Sequence, residues 1–504
     1  MKTRGLFLSA LMMSAVMAGC SNEEAMNTDN ENSLKKSDNY IAVNIVAPSE
    51  VATRGTSGEN DFDSGQEEEN NVKNAFFVFY NANGGVVDAV PANDLEWSEG
   101  SGSVSMISSM IVLSDPPTWP TQVVALLNTD FTELALEAMP LDQLLAKTGN
   151  YSSTDAFVMS NSVYKNGDKV INTTPLTDAN IASTEDGAKN NPVSIPVERV
   201  LAKVSAGFSN TFKVIDPEVT PQLNGETVKF VPKVTGMALV HANPESYLVK
   251  NIDGVTGWTG WNDADDWRSY WANSAVPADG YQTLSWNAID AQNENAFLGY
   301  CHENTSATST KLLVTAQFKA EGAEDYVTVI KYNGTYYTEE GLKNYLNIQY
   351  FNDITHGTDN SNDWIKYMAF VNAGTENEWE VKLALVDEKD PEGNVISEVP
   401  NANGSVDLEA VLTSINSKTM SQWTDGKCYY FVNIEHFGTG AYGIGVVRNH
   451  WYQLTLNSIQ GLGTPVFDPT KNIVPDKPEE ENYYVAAEVK ILKWKVVSQS
   501  VALQ

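Results

Sequence analysis

Alternating apolar and polar positions predict β-strands along most of this chain and helices at only a few places. Strand-forming runs follow one another as NAFFVFY, GGVVDAV, QVVALLN, VSIPVERVLAKVSAGF, TKLLVTAQF, YVTVIKY and WEVKLALV. Helical spacing is found in FTELALEAMPLDQLLAK, EEGLKNYL and DLEAVLTSI. Strands in hairpin-like succession with few short helices predict an all-β protein built from antiparallel β-sandwiches.

The clearest boundary signal lies at residues 216–221, DPEVTP, because its prolines interrupt strand pairing. We therefore predict two tandem sandwich domains, at residues 55–215 and 216–504. The chain has 504 residues and a hydrophobic fraction of 42%, which allows each domain a packed core.

An isolated strand-forming segment, IAVNIVA, lies at residues 41–47. Polar and acidic stretches at residues 21–39 and 55–72 flank it, and neither shows a hydrophobic period. A single strand is not stable alone, so this one is predicted to complete a sheet formed elsewhere in the chain. Its apolar positions are Ile41, Val43 and Ile45.

A second separable strand segment, residues 484–504, ends the chain. The proline-containing acidic stretch KNIVPDKPEEE sets it apart from the preceding strands. Its apolar positions change phase twice, which predicts bulge-like breaks in register. These positions are Val489, Ile491, Leu492, Trp494, Val496, Val501 and Leu503. The simpler alternative is that this segment is the last strand of the C-terminal domain.

Two separable strands suggest a protein that polymerises by strand addition. An exposed apolar strand is a hazard unless it is hidden or used, and one use is to complete the sheet of a neighbouring subunit. The N-terminal strand would fill a groove temporarily, until the chain is cut between Arg54 and Gly55. Burying six large side chains of the C-terminal tail contributes about 10–18 kcal/mol before association costs. Head-to-tail contacts that do not close produce filaments.

The first twenty residues, MKTRGLFLSALMMSAVMAGC, predict an export signal with a positive start and an apolar run too short to span a bilayer. Its end resembles a bacterial lipobox, which implies a signal peptide at residues 1–19 and lipid on Cys20. The expected cut after Arg54 would make residues 20–54 a propeptide. An ordinary signal peptide with a coincidental cysteine is the alternative. The following SNEE resembles the acidic tag of surface-exported lipoproteins.

Composition narrows the range of partners. A net charge of −33 repels nucleic-acid phosphates and anionic lipid, so nucleic acid is excluded as a partner. Three cysteines are too few for a disulfide-stapled scaffold. Cys301 and Cys428 could form a bridge, but free buried thiols are the favoured interpretation.

Several chemical motifs are present only in incomplete form. The GTGAYG at residues 438–443 precedes a strand instead of a helix, which indicates a loop and not a dinucleotide site. The WNDADDW at residues 261–267 lacks the glycine and the distant glutamate of an EF-hand, so an acidic loop is favoured over a calcium site. The five histidines lack zinc spacing, and G-x-S-x-G is absent. We therefore predict no catalytic residues, no metal, no cofactor and no enzyme activity.

Six motifs carry a resemblance to a known family: VERVLAKV at 197–204, SYLVKN at 246–251, WRSYW at 267–271, YCHENT at 300–305, YGIGVVRNHWY at 442–452 and GLGTPV at 461–466. Together with the lipobox they resemble the Mfa-type fimbrillins, the shaft subunits of type V pili. The resemblance covers nearly the whole chain and is most specific after residue 425. It implies two transthyretin-like sandwich domains, export as a lipoprotein, cutting after Arg54 by an arginine-specific protease, and strand exchange through the C-terminal segment.

The expected function is therefore a structural subunit of a cell-surface fimbria that supports adhesion or biofilm formation. Expected partners are other copies of this chain, the protease, the anchor and tip subunits of the pilus, and a host or bacterial surface receptor. The precursor is expected at the outer membrane and the mature form in extracellular fimbriae. One alternative is an anchor or tip subunit of the same pilus. Another is a surface lipoprotein that binds glycans through Trp258, Trp261, Trp267, Tyr270 and Trp271.

Overall fold

A computed structural model of the chain describes residues 38–46, 65–92, 95–99, 105–114, 118–130, 134–153, 155–166, 169–215, 222–255, 271–277, 280–289, 291–357, 360–372, 379–383, 399–436, 443–474 and 495–503. The strands of its first part are β1 Asp38–Val46, β2 Ala75–Tyr80, β3 Val86–Pro91, β4 Glu96–Glu99, β5 Ser105–Ser114, β6 Gln122–Leu127, β7 Thr148–Gly149, β8 Met159–Asn161, β9 Tyr164–Asn166, β10 Lys169–Ile171, β11 Thr174–Pro175, β12 Val193–Arg199 and β13 Leu201–Ile215. The remaining strands are β14 Gln222–Leu223, β15 Glu226–Thr227, β16 Phe230–Val240, β17 Ser246–Tyr247, β18 Leu284–Ser285, β19 Ala296–His302, β20 Lys311–Ala320, β21 Val329–Tyr332, β22 Thr335–Thr338, β23 Met368–Asn372, β24 Trp379–Leu383, β25 Met420–Trp423, β26 Lys427–Asn433, β27 His450–Gln460, β28 Thr464–Pro465, β29 Asn472–Val474 and β30 Lys495–Leu503.

Helices are few and short, as the sequence predicts. The α-helices are α1 Glu67–Asn70, α2 Leu141–Leu145, α3 Glu185–Lys189, α4 Glu339–Leu346 and α5 Leu408–Asn416. The last two coincide with EEGLKNYL and DLEAVLTSI. Short 3-10 turns lie at Leu136–Ala138, Asp178–Asn180, Trp286–Ala288, Ala291–Asn293, Ile365–Tyr367 and Thr424–Gly426, and a π-helical turn lies at Asn347–Phe351. The prediction of one helix in FTELALEAMPLDQLLAK is wrong, because Pro140 separates a 3-10 turn from α2.

The N-terminal sheet has the strand order β3-β2-β6-β8-β12-β1-β5-β4, with β11 paired to β6. It is buried on both faces along β6, where Val123 and Ala125 face one hydrophobic cluster and Val124 and Leu126 face another. Burial on both faces explains why QVVALL reads as a continuous apolar run instead of an alternating one.

The C-terminal half contains sheets with the orders β19-β13-β27-β30, β16-β20-β26-β28 and β15-β14-β22-β21-β25. Alternate residues of β20 face opposite sides: Leu312 and Val314 lie in the main core, and Leu313 lies in a separate cluster. The main core continues from the N-terminal sheet into all three of these sheets. The fold is therefore all-β, as predicted.

Not every strand pair is antiparallel, although the sequence predicts antiparallel sandwiches. Strand β27 pairs in parallel with β13 on one side and with β30 on the other, and β1 pairs in parallel with β12. These strands are far apart in sequence, so no tight hairpin dictates their relative direction. The passage between the N-terminal and C-terminal sheets occurs at Val200, between β12 and β13. The predicted boundary at residues 216–221 lies outside the described residues, and the two-domain division stays a prediction.

Both described cysteines are free and buried, with Cys301 on β19 and Cys428 on β26. Burial raises the pKa of each thiol to about 12. An unfolded chain would ionise each thiol above about pH 9. The folded protein therefore keeps the thiols neutral at higher pH, up to about 12.

We expect iodoacetamide to leave Cys301 and Cys428 unmodified in the folded protein at pH 8, because the thiolate is the reactive form. The measurement is the mass of the protein after timed labelling, with and without denaturant. Because both pKa values are raised, the stability that the neutral thiols contribute is present below about pH 9 and is lost as pH rises towards 12. Rapid labelling of the folded chain would contradict this account.

Candidate functional site

The strand near the N-terminus, β1, is an interior strand of the N-terminal sheet. All nine of its residues pair antiparallel with β5, and its residues 43–46 also pair in parallel with residues 193–196 of β12. Ile41 and Val43 are fully buried and pack in the main core with Ile195 of β12. The backbone of Ile45 lies opposite Ile107 and Ile195. β1 therefore fills a slot between two other strands of the chain.

The predicted processing residues lie outside the described part of the chain. These are Cys20, Arg54 and Gly55. The described chain resumes after β1 at residue 65, and α1 follows directly.

The C-terminal strand, β30, lies at the edge of a sheet of the same chain, parallel to β27. Its register runs from His450 opposite Lys495 to Ile459 opposite Leu503. Val496, Val501 and Leu503 thus belong to β30. Val489, Ile491, Leu492 and Trp494 lie outside the described residues. The position of β30 beside β27 of the same chain is the one that the simpler alternative, a last strand of the C-terminal domain, predicts.

Four of the sequence motifs meet where the N-terminal and C-terminal sheets adjoin. The guanidinium of Arg448 is fully buried and donates from Nε and Nη2 to Glu303 Oε1, at 3.0 and 2.6 Å. It also donates to Ser246 Oγ at 3.0 Å and to the carbonyl oxygens of Tyr247 and Leu248 at 2.6 and 3.1 Å. One side chain therefore joins the motifs at 246–251, 300–305 and 442–452.

A second buried ion pair joins the motif at 197–204 to the motif at 246–251. Lys250 Nζ lies 3.0 Å from both carboxylate oxygens of Glu198, and neither side chain is exposed. Ser162 Oγ donates to Glu198 Oε2 at 3.4 Å. Burial raises the pKa of Glu198, although Lys250 and Arg448 lower it in part. Pairs of this kind add little net stability, but they are costly to break.

A third buried cluster ties α1 to the same region, and we call it the Glu69 anchor. The Glu69 carboxylate accepts hydrogen bonds from Lys203 Nζ at 2.7 Å and from Tyr300 OH at 2.5 Å. It also accepts one at 2.8 Å from the backbone amide of Gln66, the N-cap residue of α1. Arg199 donates to the Glu69 carbonyl oxygen at 2.8 Å and to Asn70 Oδ1. Lys203 Nζ also lies 4.2 Å from the ring centre of Trp451.

The Glu69 carboxylate is held in its charged form. Burial raises its pKa, but the hydrogen bonds from Lys203, Tyr300 and Gln66 outweigh burial, and the net pKa is below the ordinary value of 4.5. The stability that it contributes is therefore present above about pH 4.5 and is lost as pH falls through the lower folded-state value.

Asn128 fixes the segment that follows α1. Its side chain donates to the Asn71 and Phe157 carbonyl oxygens at 2.7 and 2.9 Å and accepts from the Lys73 amide at 2.8 Å. Asn128 has a φ of 59°, a left-handed conformation that asparagine tolerates better than most residues. Residues 66–74 are thus attached to the body of the protein at both ends.

Histidines and aromatics serve packing in the described part of the chain. His302 accepts from the Tyr151 amide at 3.0 Å, and His436 lies 2.8 Å from Tyr452 OH. Trp271 is buried and packs on His436, so it is unavailable to a glycan platform. The other aromatics of that platform and residues 438–442 of the glycine motif lie outside the described residues, as do residues 261–267. Within the described ranges no three His, Cys, Asp or Glu residues are grouped for metal binding.

Sequence reasoning missed the ionic roles of Glu69, Glu198, Lys250, Glu303 and Arg448. The available signal was a charged residue inside an otherwise apolar strand run, as in VERVLAKV and GVVRNHWY. Such residues are rarely buried unless they are paired. Their partners lie too far along the chain for the pairing to be predicted.

These features define an all-β protein whose N-terminal sheet is completed by a strand from the start of the chain. Residues 421–500 match the family described as major fimbrial subunit protein type IV, fimbrillin, C-terminal. This match includes β26, β27 and Arg448. This match supports the resemblance to fimbrillins in the region where the sequence motifs are most specific.

Two solved structures of fimbrial proteins share limited similarity with the chain. A fimbrial assembly protein from Parabacteroides distasonis ATCC 8503 is 12% identical, with a TM-score of 0.29, over 56% of this chain and 84% of that one. The tip fimbrial protein Mfa3 from Porphyromonas gingivalis, with a C-terminal truncation, is 15% identical, with a TM-score of 0.27, over 55% and 80%. A comparison with curated proteins finds no match.

Among the residues that the structure describes, no helix is long and apolar enough to cross a membrane.

Proposed function

We propose that the protein is a structural subunit of a cell-surface fimbria, the shaft of a type V pilus, and not an enzyme. It would be exported as a lipoprotein through Cys20, cut between Arg54 and Gly55, and polymerised by strand exchange through residues 484–504. The precursor would lie at the outer membrane and the mature form in extracellular fimbriae that support adhesion or biofilm formation.

The observation that carries this proposal is the position of β1. It is an interior strand, and the chain runs from it to the other described strands through the segment that contains Arg54. A cut there leaves β1 held by strand pairing and by Ile41 and Val43, whose burial contributes about 1.5–3 kcal/mol each. Departure of β1 would expose unpaired backbone groups on β5 and β12, which is an acceptor site for another strand.

The occupant of that site would be the C-terminal tail of a second copy. Its strand-forming apolar residues suit a sheet whose facing residues, such as Ile111 and Ile195, are apolar. Repetition of this contact is head-to-tail and produces a filament. Further partners would be an arginine-specific protease, anchor and tip subunits, and a host or bacterial receptor.

A tip subunit is the second candidate, because β30 lies on β27 of its own chain instead of projecting away. A tip protein does not need to donate its tail. The glycan-binding alternative is less favoured, because the buried Trp271 is withdrawn from the proposed aromatic platform.

We expect the lipid-free precursor to polymerise after treatment with an arginine-specific protease. The new N-terminus should be Gly55, and an unboiled SDS gel should show a ladder of heat-sensitive multimers. A matched chain that lacks residues 489–504 should be cut equally well and remain monomeric, because the donor strand is gone.

The other outcomes separate the candidates. Clean cutting at Gly55 with monomers alone would indicate a tip or accessory role. If the protease does not cut the bond between Arg54 and Gly55, β1 is a permanent strand of the fold. This result would contradict the proposed processing.

A further inference from the structure

We propose that Glu69 is a positioning residue that holds the acceptor groove in shape after β1 has left it. This inference rests on the proposed function, because only a processed subunit needs an open groove.

Strand β12 forms one wall of the groove, and its support is uneven. Residues 197–199 pair with β8, whereas residues 193–196 pair with β1. Besides β1, the latter stretch has a hydrogen bond from the Ser162 amide to the Pro196 carbonyl oxygen, at 2.9 Å. When β1 leaves, the first half of this wall therefore loses its strand partner.

The Glu69 anchor fixes the other half of the same wall. Arg199, the last residue of β12, donates to the Glu69 carbonyl oxygen at 2.8 Å and to Asn449 Oδ1 at 3.0 Å. Four residues further along the chain, Lys203 of β13 forms the ion pair with the Glu69 carboxylate. The backbone of Glu69 therefore contacts the end of β12, and its side chain contacts the start of β13.

Tyr300 of β19 extends the anchor to a third strand, which pairs with β13. Its ring packs edge-on against Phe157, at a centroid distance of 4.9 Å. The anchor therefore connects the new N-terminal region of the mature chain, through α1, to β12, β13 and β19 at one point. None of these contacts involves β1, so all of them can persist after processing.

The Glu69 carboxylate carries the negative charge that pairs with Lys203 inside the protein. The Lys203 side chain is only 3% exposed, and it also lies over the face of the Trp451 ring. A buried ammonium group without its carboxylate is strongly disfavoured, so loss of the charge should release Lys203 and loosen the crossing. In the uncut chain, pairing with β1 still supports the wall, so the effect should be concentrated in the processed form.

The test compares full-length Glu69→Gln and wild-type chains before and after cutting at Arg54. Cut chains are first separated from the released β1 peptide. Hydrogen exchange of the β12 backbone is then measured by pulse labelling at a dilution at which these chains are still monomers, and polymer yield is measured at higher concentration. In the cut variant we expect exchange at residues 193–196 to be at least about tenfold faster than in cut wild type, with loss of most polymer. The two uncut chains should exchange at similar rates in this stretch.

Glu321→Gln is the matched control, because Glu321 pairs with Lys229 at 3.1 Å on the surface. It should behave as wild type in both states. Tyr300→Phe, which removes one hydrogen bond and no charge, should give a smaller change in the same direction, and it replaces Glu69→Gln if that variant does not fold.

Unchanged exchange after cutting, or acceleration to the same extent before cutting, would overturn the positioning role. The second result would make Glu69 a general stabiliser of the fold. If cut wild type does not polymerise but the exchange pattern is observed, the proposed function fails and the positioning role stands.

Discussion

An Arg54→Ala chain should accumulate as an uncut monomer and form no fimbriae. With the bond after residue 54 intact, β1 remains tethered beside its slot at a high effective concentration and outcompetes any strand from another copy. Donor strands that bury six large side chains contribute about 10–18 kcal/mol before association costs, yet that energy is inaccessible while the slot is filled. The measurements are the N-terminal sequence of surface protein and the yield of multimers on an unboiled gel.

Arg54→Lys is the matched variant, because it keeps the positive charge but changes the protease that can cut it. It should resist an arginine-specific protease and regain polymerisation when a lysine-specific protease supplies the cut. Normal assembly of Arg54→Ala would remove processing at this bond from the account of assembly.

Replacing Arg448 by alanine should lower the free energy of unfolding by about 3–5 kcal/mol. The substitution leaves Glu303 fully buried without its guanidinium and also removes the donors to Ser246, Tyr247 and Leu248. A buried carboxylate that has lost its ion-pair partner still has the full free-energy cost of desolvation. Denaturant unfolding monitored by tryptophan fluorescence measures the change.

Lys229→Ala is the control for Arg448, since Lys229 is 46% exposed in its ion pair with Glu321. It should cost no more than about 1 kcal/mol. The double substitution Arg448→Met and Glu303→Leu should recover part of the loss, because no unpaired charge remains. A loss below about 1 kcal/mol for Arg448→Ala would mean that this buried pair does not secure the sheets.

The sequence predicted the elements that depend on local pattern. The segment IAVNIVA forms most of β1, and its place inside a sheet follows from the instability of a lone strand. Helices α4 and α5 also follow from local spacing, and each has a capping residue, Thr338 or Asp407.

Features that depend on distant pairing could not be predicted. Arg448 and Glu303 are 145 residues apart, and neither motif contains a pattern that indicates the other as its ion-pair partner. The parallel pairing of β13 with β27 joins two strands from opposite parts of the chain for the same reason. The sequence pattern places Trp271 in an aromatic platform, but the folded chain buries it against residues that include His436, far along the chain.

A separate hydrophobic core in the C-terminal half was also missed. It combines α4 and α5 with strands β21, β23, β24 and β25, and it includes the fully buried Trp364. Its apolar residues are dispersed among polar loops, so their clustering is a property of the folded chain and not of any one segment.

The crossing at Val200 has a mechanical consequence. Strands β12 and β13 belong to different sheets and are separated by Val200 alone. Val200 is buried, and its amide donates a hydrogen bond to the carbonyl oxygen of Val158. Tension applied along a filament would pass from one sheet to the other through this short stretch of backbone. The buried ion pairs of Glu198 and Lys203 lie on either side of Val200. We therefore expect this stretch of backbone to keep its conformation under tension and not to bend or extend.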